Sequence, residues 1–187
     1  MNFFGILKQE NKHSVKIFKS QPNDKQLYFE KDEILVSKTN LTGHIIYGNL
    51  LFIKLSGYSD NEILGQPHNM IRHPDMPKII FQTLWSVIQN KKEINAFVKN
   101  LAKDGSFYWV FANITPSYNK NNDIIGFYSV RRQPNLKAIE IIKPLYQALK
   151  QAETIGGVYE SRKVLHSILE KYQMNFEELM YYLQYRI

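Results

Sequence analysis

Apolar positions along this chain first alternate, then spread to helical spacing, then alternate again. Residues 34–39 (Ile34-Leu35-Val36-Ser37-Lys38-Thr39) predict a short strand, residues 40–43 a turn, and His44-Ile45-Ile46-Tyr47 a second strand, so the pair reads as a hairpin. Asn49 then precedes the short helical pattern of residues 50–56. Ser59-Asp60-Asn61-Glu62 has the capping-box form that opens another helix, and Gly65 ends it. Residues 76–90 carry Ile80, Leu84 and Val87 beside Phe81, Trp85 and Ile88, which predicts an amphipathic helix. Two long strands, 94–102 and 107–117, flank Lys103-Asp104-Gly105-Ser106, where Asp-Gly signals a hairpin. A turn over 119–123 leads to a last strand at 124–131, and helical spacing returns over 138–153 and about 160–186. The expected division is a polar lead (1–32, with an apolar tip at Phe3, Phe4, Ile6 and Leu7), a central domain (33–134) and a C-terminal helical region (135–187) for signalling or dimerisation.

One stretch breaks the periodicity. Gly65 to Pro77 packs three prolines, two histidines, Arg72 and Asp75 between two helical patterns. Proline fixes φ, removes a backbone donor and pushes the preceding residue out of the helical region. Arg72, His73 and Asp75 are costly to bury unless paired. A rigid turn, with Asp75 capping the next helix and Pro77 in its first turn, is the plainer account of the same residues.

Composition narrows the classes. The 187 residues suit one domain with accessory helices, and 44% hydrophobic residues are enough for a core. The net charge of +7 favours acidic partners, but the lysines are scattered and form no nucleic-acid-type run. Without cysteine there are no disulfides, thiolate metal sites or cysteinyl adducts, which fits a reducing compartment. No apolar run approaches the ~20 residues of a membrane span, and the start is too polar for a signal peptide. A cytoplasmic protein is expected. No nucleotide-binding glycine loop, kinase or cyclase motif or metal spacing marks an enzyme.

The order of elements, and the words Leu55-Ser56-Gly57-Tyr58, Glu62 to Met70, Arg72-His73-Pro74-Asp75-Met76-Pro77-Lys78, Val98-Lys99-Asn100 and Gly105 to Val110, resemble the PAS domain of bacterial aerotaxis receptors. The likeness runs over roughly residues 33–150 and includes the Pro144-Leu145-Tyr146 segment. It implies an α+β PAS fold, an antiparallel five-stranded sheet with short helices on one face. It also implies an FAD-binding redox sensor for energy taxis. Such receptors carry membrane, HAMP and methyl-accepting regions that this sequence lacks. The expectation is therefore a stand-alone PAS subunit signalling to a separate membrane-bound methyl-accepting transducer, and recruited through it to the inner membrane.

The resemblance places cofactor-linked residues at Arg72, His73, Asp75 and Asn49. Arg72 suits a pyrophosphate because its planar fork binds phosphate oxygens in two places. Asn49 also fits an N-cap. Strand parity adds Asn100: if Lys99 faces water, Val98, Asn100 and Ala102 face inward. Tyr108, Val110, Ala112 and Tyr128 are placed inward as well, Tyr128 meeting the ring edge, and Trp85 walls the cavity. The opposite parity leaves Phe97, Leu101, Trp109 and Phe111 as an aromatic outer face, to be covered by the N-terminal tip, the C-terminal helices or a second copy in a homodimer. Ile94 stands where flavin domains of this kind usually have a tryptophan. That keeps haem, with His73 as axial ligand, and a small aromatic or carboxylate ligand anchored by Arg72 as alternatives.

Overall fold

The computed structural model describes residues 20–187, and the apolar tip at Phe3, Phe4, Ile6 and Leu7 lies outside the described residues. Strands β1 (Leu35–Thr39), β2 (Ile45–Gly48), β3 (Ile94–Leu101), β4 (Phe107–Tyr118) and β5 (Ile124–Arg132) form one sheet in the order β2-β1-β5-β4-β3. Every neighbouring pair is antiparallel. The Asp104-Gly105 turn joins β3 to β4. Gly105 has φ 87°, and a Cβ there would meet the Gln21 carbonyl oxygen at 2.2 Å. Only glycine lets the segment after residue 20 lie this close, where Leu27 N donates to Phe107 O and Phe107 N to Lys25 O.

Helices α1 (Leu50–Ser56), α2 (Asp60–Ile63) and α3 (Lys78–Gln89) lie between β2 and β3 in the chain. Ser59 and Glu62 cap α2 reciprocally, as the sequence pattern requires. The proline-rich stretch forms a single 3-10 turn, His68–Ile71, before α3. Asp75 does not cap α3. Pro77 occupies the cap position, so the helix starts too late for Asp75 to reach its first turn. The free first-turn amide of Ile79 donates instead to Glu153 Oε1 at 3.0 Å, from a helix 74 residues away.

Helix α4 (Leu136–Tyr172) is interrupted at Gly156 and Gly157. Gly157 has φ 66° and ψ −161°, a conformation that residues with a Cβ rarely adopt. This break matches the gap between the two expected C-terminal helices. The expected helix over 160–186 is itself divided. Gln173 turns left-handed at φ 52°, and Asn175 opens α5 (Phe176–Tyr185) with a capping box to Glu178. Apolar spacing continues on both sides of that turn and hides it from a periodicity reading.

The outer row is covered by the C-terminal helices. Phe97, Leu101, Trp109 and Phe111 are all buried. Tyr146 of α4 donates its hydroxyl to Phe97 O at 2.8 Å and packs its ring near Trp109, while Tyr185 of α5 meets Phe111 edge-on. Burying such side chains stabilises by about 2 kcal/mol each, which accounts for the docking. No helix among the described residues is long and apolar enough to cross a membrane.

Candidate functional site

Alternation along the strands gives the sheet a second face, and α3 packs over it. Between them is a cavity of about 190 Å³. Phe81, Leu84, Trp85 and Ile88 of α3 form one wall, at the helical spacing seen in the sequence. Val98, Ala112, Ile114 and Phe127 form the other. Trp85 meets Phe127 edge-on with ring centroids 5.3 Å apart. The result is a slot with two apolar walls.

The lining also carries polar side chains, and those of Ser37, Thr39, Asn100, Ser129 and Arg131 are buried. Asn100 is 3% exposed and lines the cavity; its Nδ2 has no hydrogen-bond partner among the described residues. The same holds for Ser129 Oγ and for Nη1 of Arg131, which is also 3% exposed. Buried donors without partners are costly, so a cavity that gathers three of them is built for something that supplies acceptors. Among the described residues no carboxylate lines it.

Arg131 is held on its other side. Its Nη2 donates to Ser37 Oγ at 2.9 Å and to His68 Nε2 at 2.7 Å, and the guanidinium lies 5.3 Å from the Phe52 ring centre. Arginine only donates, so His68 Nε2 must accept and the proton sits on Nδ1. Burial of the imidazole and the Arg131 cation push His68 down to about 3, so it is neutral. Burial also pulls Arg131 down, to about 10.

Arg72 lines the cavity at its mouth, with its guanidinium 3.6 Å from the Phe81 ring centre. A wider groove opens beside it. Arg72, Phe81 and Trp85 line both spaces, and Lys78 and Arg162 add two more cations to the groove. Among the described residues the groove also has no carboxylate in its lining.

The structure thus brings Arg72, Trp85 and Asn100 together at the cavity, and places four other predicted residues elsewhere. Asn49 caps α1: its Oδ1 accepts from Phe52 N and Val36 N, its Nδ2 donates to Ile34 O, and it does not line the cavity. His73 and Asp75 lie on the far side of β3, away from the cavity. There Asp75 Oδ2 pairs with Lys99 Nζ at 2.6 Å and His73 Nδ1 accepts from Asp75 N. Burial and then Lys99 push His73 down to about 4. His73 thus offers no axial contact to a group in this cavity. Tyr128 lies on the opposite face of β5 from the cavity, with Lys38 4.9 Å from its ring centre. Ala112 pairs with Arg131 and Ile114 with Ser129, so the inward residues of β5 are Phe127, Ser129 and Arg131. Placing Tyr128 inward chose the other parity of β5, whose cavity side instead carries a buried charge, Arg131. The missed signal was the opposite parity, Phe127-Ser129-Arg131, opposite Ala112 and Ile114.

Residues 45–131 match the family model described as the PAS fold. The chain is 37% identical over 140 residues to the aerotaxis receptor of Escherichia coli K12, covering 75% of this chain and 28% of the receptor. It is 25% identical over 126 residues to a nitrogen fixation regulatory protein of Klebsiella pneumoniae, covering 67% of this chain and 24% of that protein. The chain thus spans about a quarter of the length of these curated relatives. The crystal structure of a PAS domain from Colwellia psychrerythraea is similar at TM-score 0.50 and 29% identity, over 54% of this chain and 85% of that one. A light-oxygen-voltage domain studied with a flavin analogue matches at TM-score 0.52 and 17% identity, over 58% of this chain and 82% of that one, which shows the shared fold alone.

Proposed function

This chain belongs to the PAS fold family, and from that premise we propose that its cavity holds the ring of FAD and that the domain reports redox state to a signalling partner. The observation that carries the reading is the apolar slot between α3 and the sheet with unpartnered buried donors at Asn100, Ser129 and Arg131. Likeness to an aerotaxis receptor supports the sensory role, and the flavin is what the resemblance of the sequence motifs implies. A bound flavin would supply two-electron chemistry at a ring whose charge and protonation change on reduction.

The residues divide the work. Phe81, Leu84 and Trp85 face Val98 and Ala112 across a slot suited to a flat ring and exclude water from it. Asn100 offers an amide donor to the ring's polar edge. Arg72, Lys78 and Arg162, in the groove beside the slot, suit a pyrophosphate, which favours a dinucleotide over a mononucleotide. A small anionic metabolite is a second reading, favoured by the cavity volume of about 190 Å³.

Transmission follows from the period of a strand. Along β3, Val98 and Asn100 face the cavity, while Phe97 and Leu101 face the helices. A change in what Asn100 bonds to shifts the same strand whose Phe97 carbonyl accepts from Tyr146 of α4. Unequal contacts in two ligand states bias two placements of α4 and α5. In this reading the domain works in the cytoplasm and its partner is a membrane-bound methyl-accepting transducer. Amide hydrogen exchange of the oxidised and chemically reduced holoprotein tests the step. Protection over residues 136–187 should change severalfold, and identical exchange in both states would refute signalling through these helices.

A further inference from the structure

The cluster of Arg131, His68 and Ser37 goes beyond shape. Arg131 is a permanent cation, 3% exposed, and no carboxylate pairs with it among the described residues. Removing such a charge from water costs several kcal/mol, and neutral hydrogen bonds offset only part of that. Its two neutral acceptors, Ser37 and His68, both take Nη2. Nη1 is left without a partner among the described residues, in a residue that lines the cavity. His68 adds no second charge, because its Nε2 lone pair is the acceptor for the guanidinium. The cluster orients a fork and leaves half of it unused.

We propose that Arg131, oriented by His68 and Ser37, is the cavity's anion-edge receptor: it binds the acceptor-rich edge of a heteroaromatic ring and favours the ligand state that carries more negative charge there. This rests on the flavin reading for the identity of the ring. Electron uptake raises the negative charge at that edge. A buried cation interacts more strongly with the reduced than with the oxidised form, and so raises the midpoint potential. The low local dielectric makes the effect larger than it would be at a surface.

The test uses the full chain with two variants, Arg131→Gln and Arg131→Lys, and two readouts. In spectroelectrochemical titration of the flavin-loaded proteins, Arg131→Gln should make reduction at least tenfold less favourable, a fall of about 30 mV for a two-electron couple. Arg131→Lys, which keeps the charge, should recover at least half of that fall. A potential within twofold of wild type in the reduction constant for Arg131→Gln overturns the proposal. In the flavin-free proteins, Arg131→Gln removes an unpaired buried charge, so its urea midpoint should equal or exceed that of wild type. A variant that is less stable or does not fold overturns the proposal too, because the guanidinium would then serve the protein's own bonds. Wild-type protein that takes up no flavin refutes the flavin reading instead, and the urea comparison still decides whether Arg131 is poised for an anion.

Discussion

Replacing Asn100 with leucine should move stability and binding in opposite directions. The side chain is 3% exposed, and its Nδ2 has no partner among the described residues. Leucine has similar volume and no buried donor. A buried donor left unsatisfied costs about 1–3 kcal/mol. Water that enters the ligand-free cavity recovers part of this, so the flavin-free variant should be more stable than wild type by roughly 0–2 kcal/mol. With a urea dependence of about 1–3 kcal/mol/M, the midpoint should stay level or rise by up to ~2 M. The same change removes one hydrogen bond to the ring edge, worth about 1–2 kcal/mol once the ligand group is left unpaired, or a roughly 5–30-fold weaker flavin complex. Urea denaturation of the flavin-free proteins and fluorescence titration with FAD measure the two terms. A variant destabilised by more than about 1 kcal/mol, with unchanged flavin affinity, would show that Asn100 serves the fold and would refute the reasoning.

Two further outcomes separate the fold from the site. Asn49→Ala should lose about 1–2 kcal/mol of stability, because the side chain makes three backbone hydrogen bonds around the start of α1, and should leave flavin affinity within twofold of wild type; a large loss of affinity in urea-stable protein would return Asn49 to the site. Burial holds His68 at about 3 and His73 at about 4 in the folded protein, below the ordinary histidine value of 6.5. The unfolded chain then binds more protons across that window, so stability is full above about pH 6.5 and falls as pH drops towards 4. The thermal midpoint should be lower at pH 4.5 than at pH 7, by about 2–4 °C for each kcal/mol lost, and His73→Gln should flatten part of the slope. A midpoint independent of pH in wild type would contradict both placements.

Local signals were legible wherever one rule acted alone. The Asp104-Gly105 hairpin, the Ser59–Glu62 box and the α3 stripe all appear where the pattern puts them. Parity identified Asn100 because Lys99 next to it belongs on the other face, where in the structure its side chain is only 13% exposed and pairs with Asp75. On β5 the parity that put Tyr128 inward was the wrong one, and Arg131, buried on the cavity side with no carboxylate partner among the described residues, departs from the ordinary place of a charge. Of the motif residues Arg72, His73 and Asp75, Arg72 lines the cavity and the other two line a different space. The segment pairs with β3, Arg72 opposite Asn100, so Arg72 reaches the cavity while His73 and Asp75 stay on the other side. The Glu153 cap on α3 was out of reach for any local pattern, since its partner is 74 residues away.

The central claim is that the cavity between α3 and the sheet binds a flavin, and the absorption spectrum of the purified full chain tests it most directly, as isolated and after incubation with excess FAD followed by gel filtration. The account predicts protein-bound flavin bands, with about one flavin per chain after incubation. A protein that elutes without flavin in both cases, or with a haem Soret band in place of flavin bands, would contradict it.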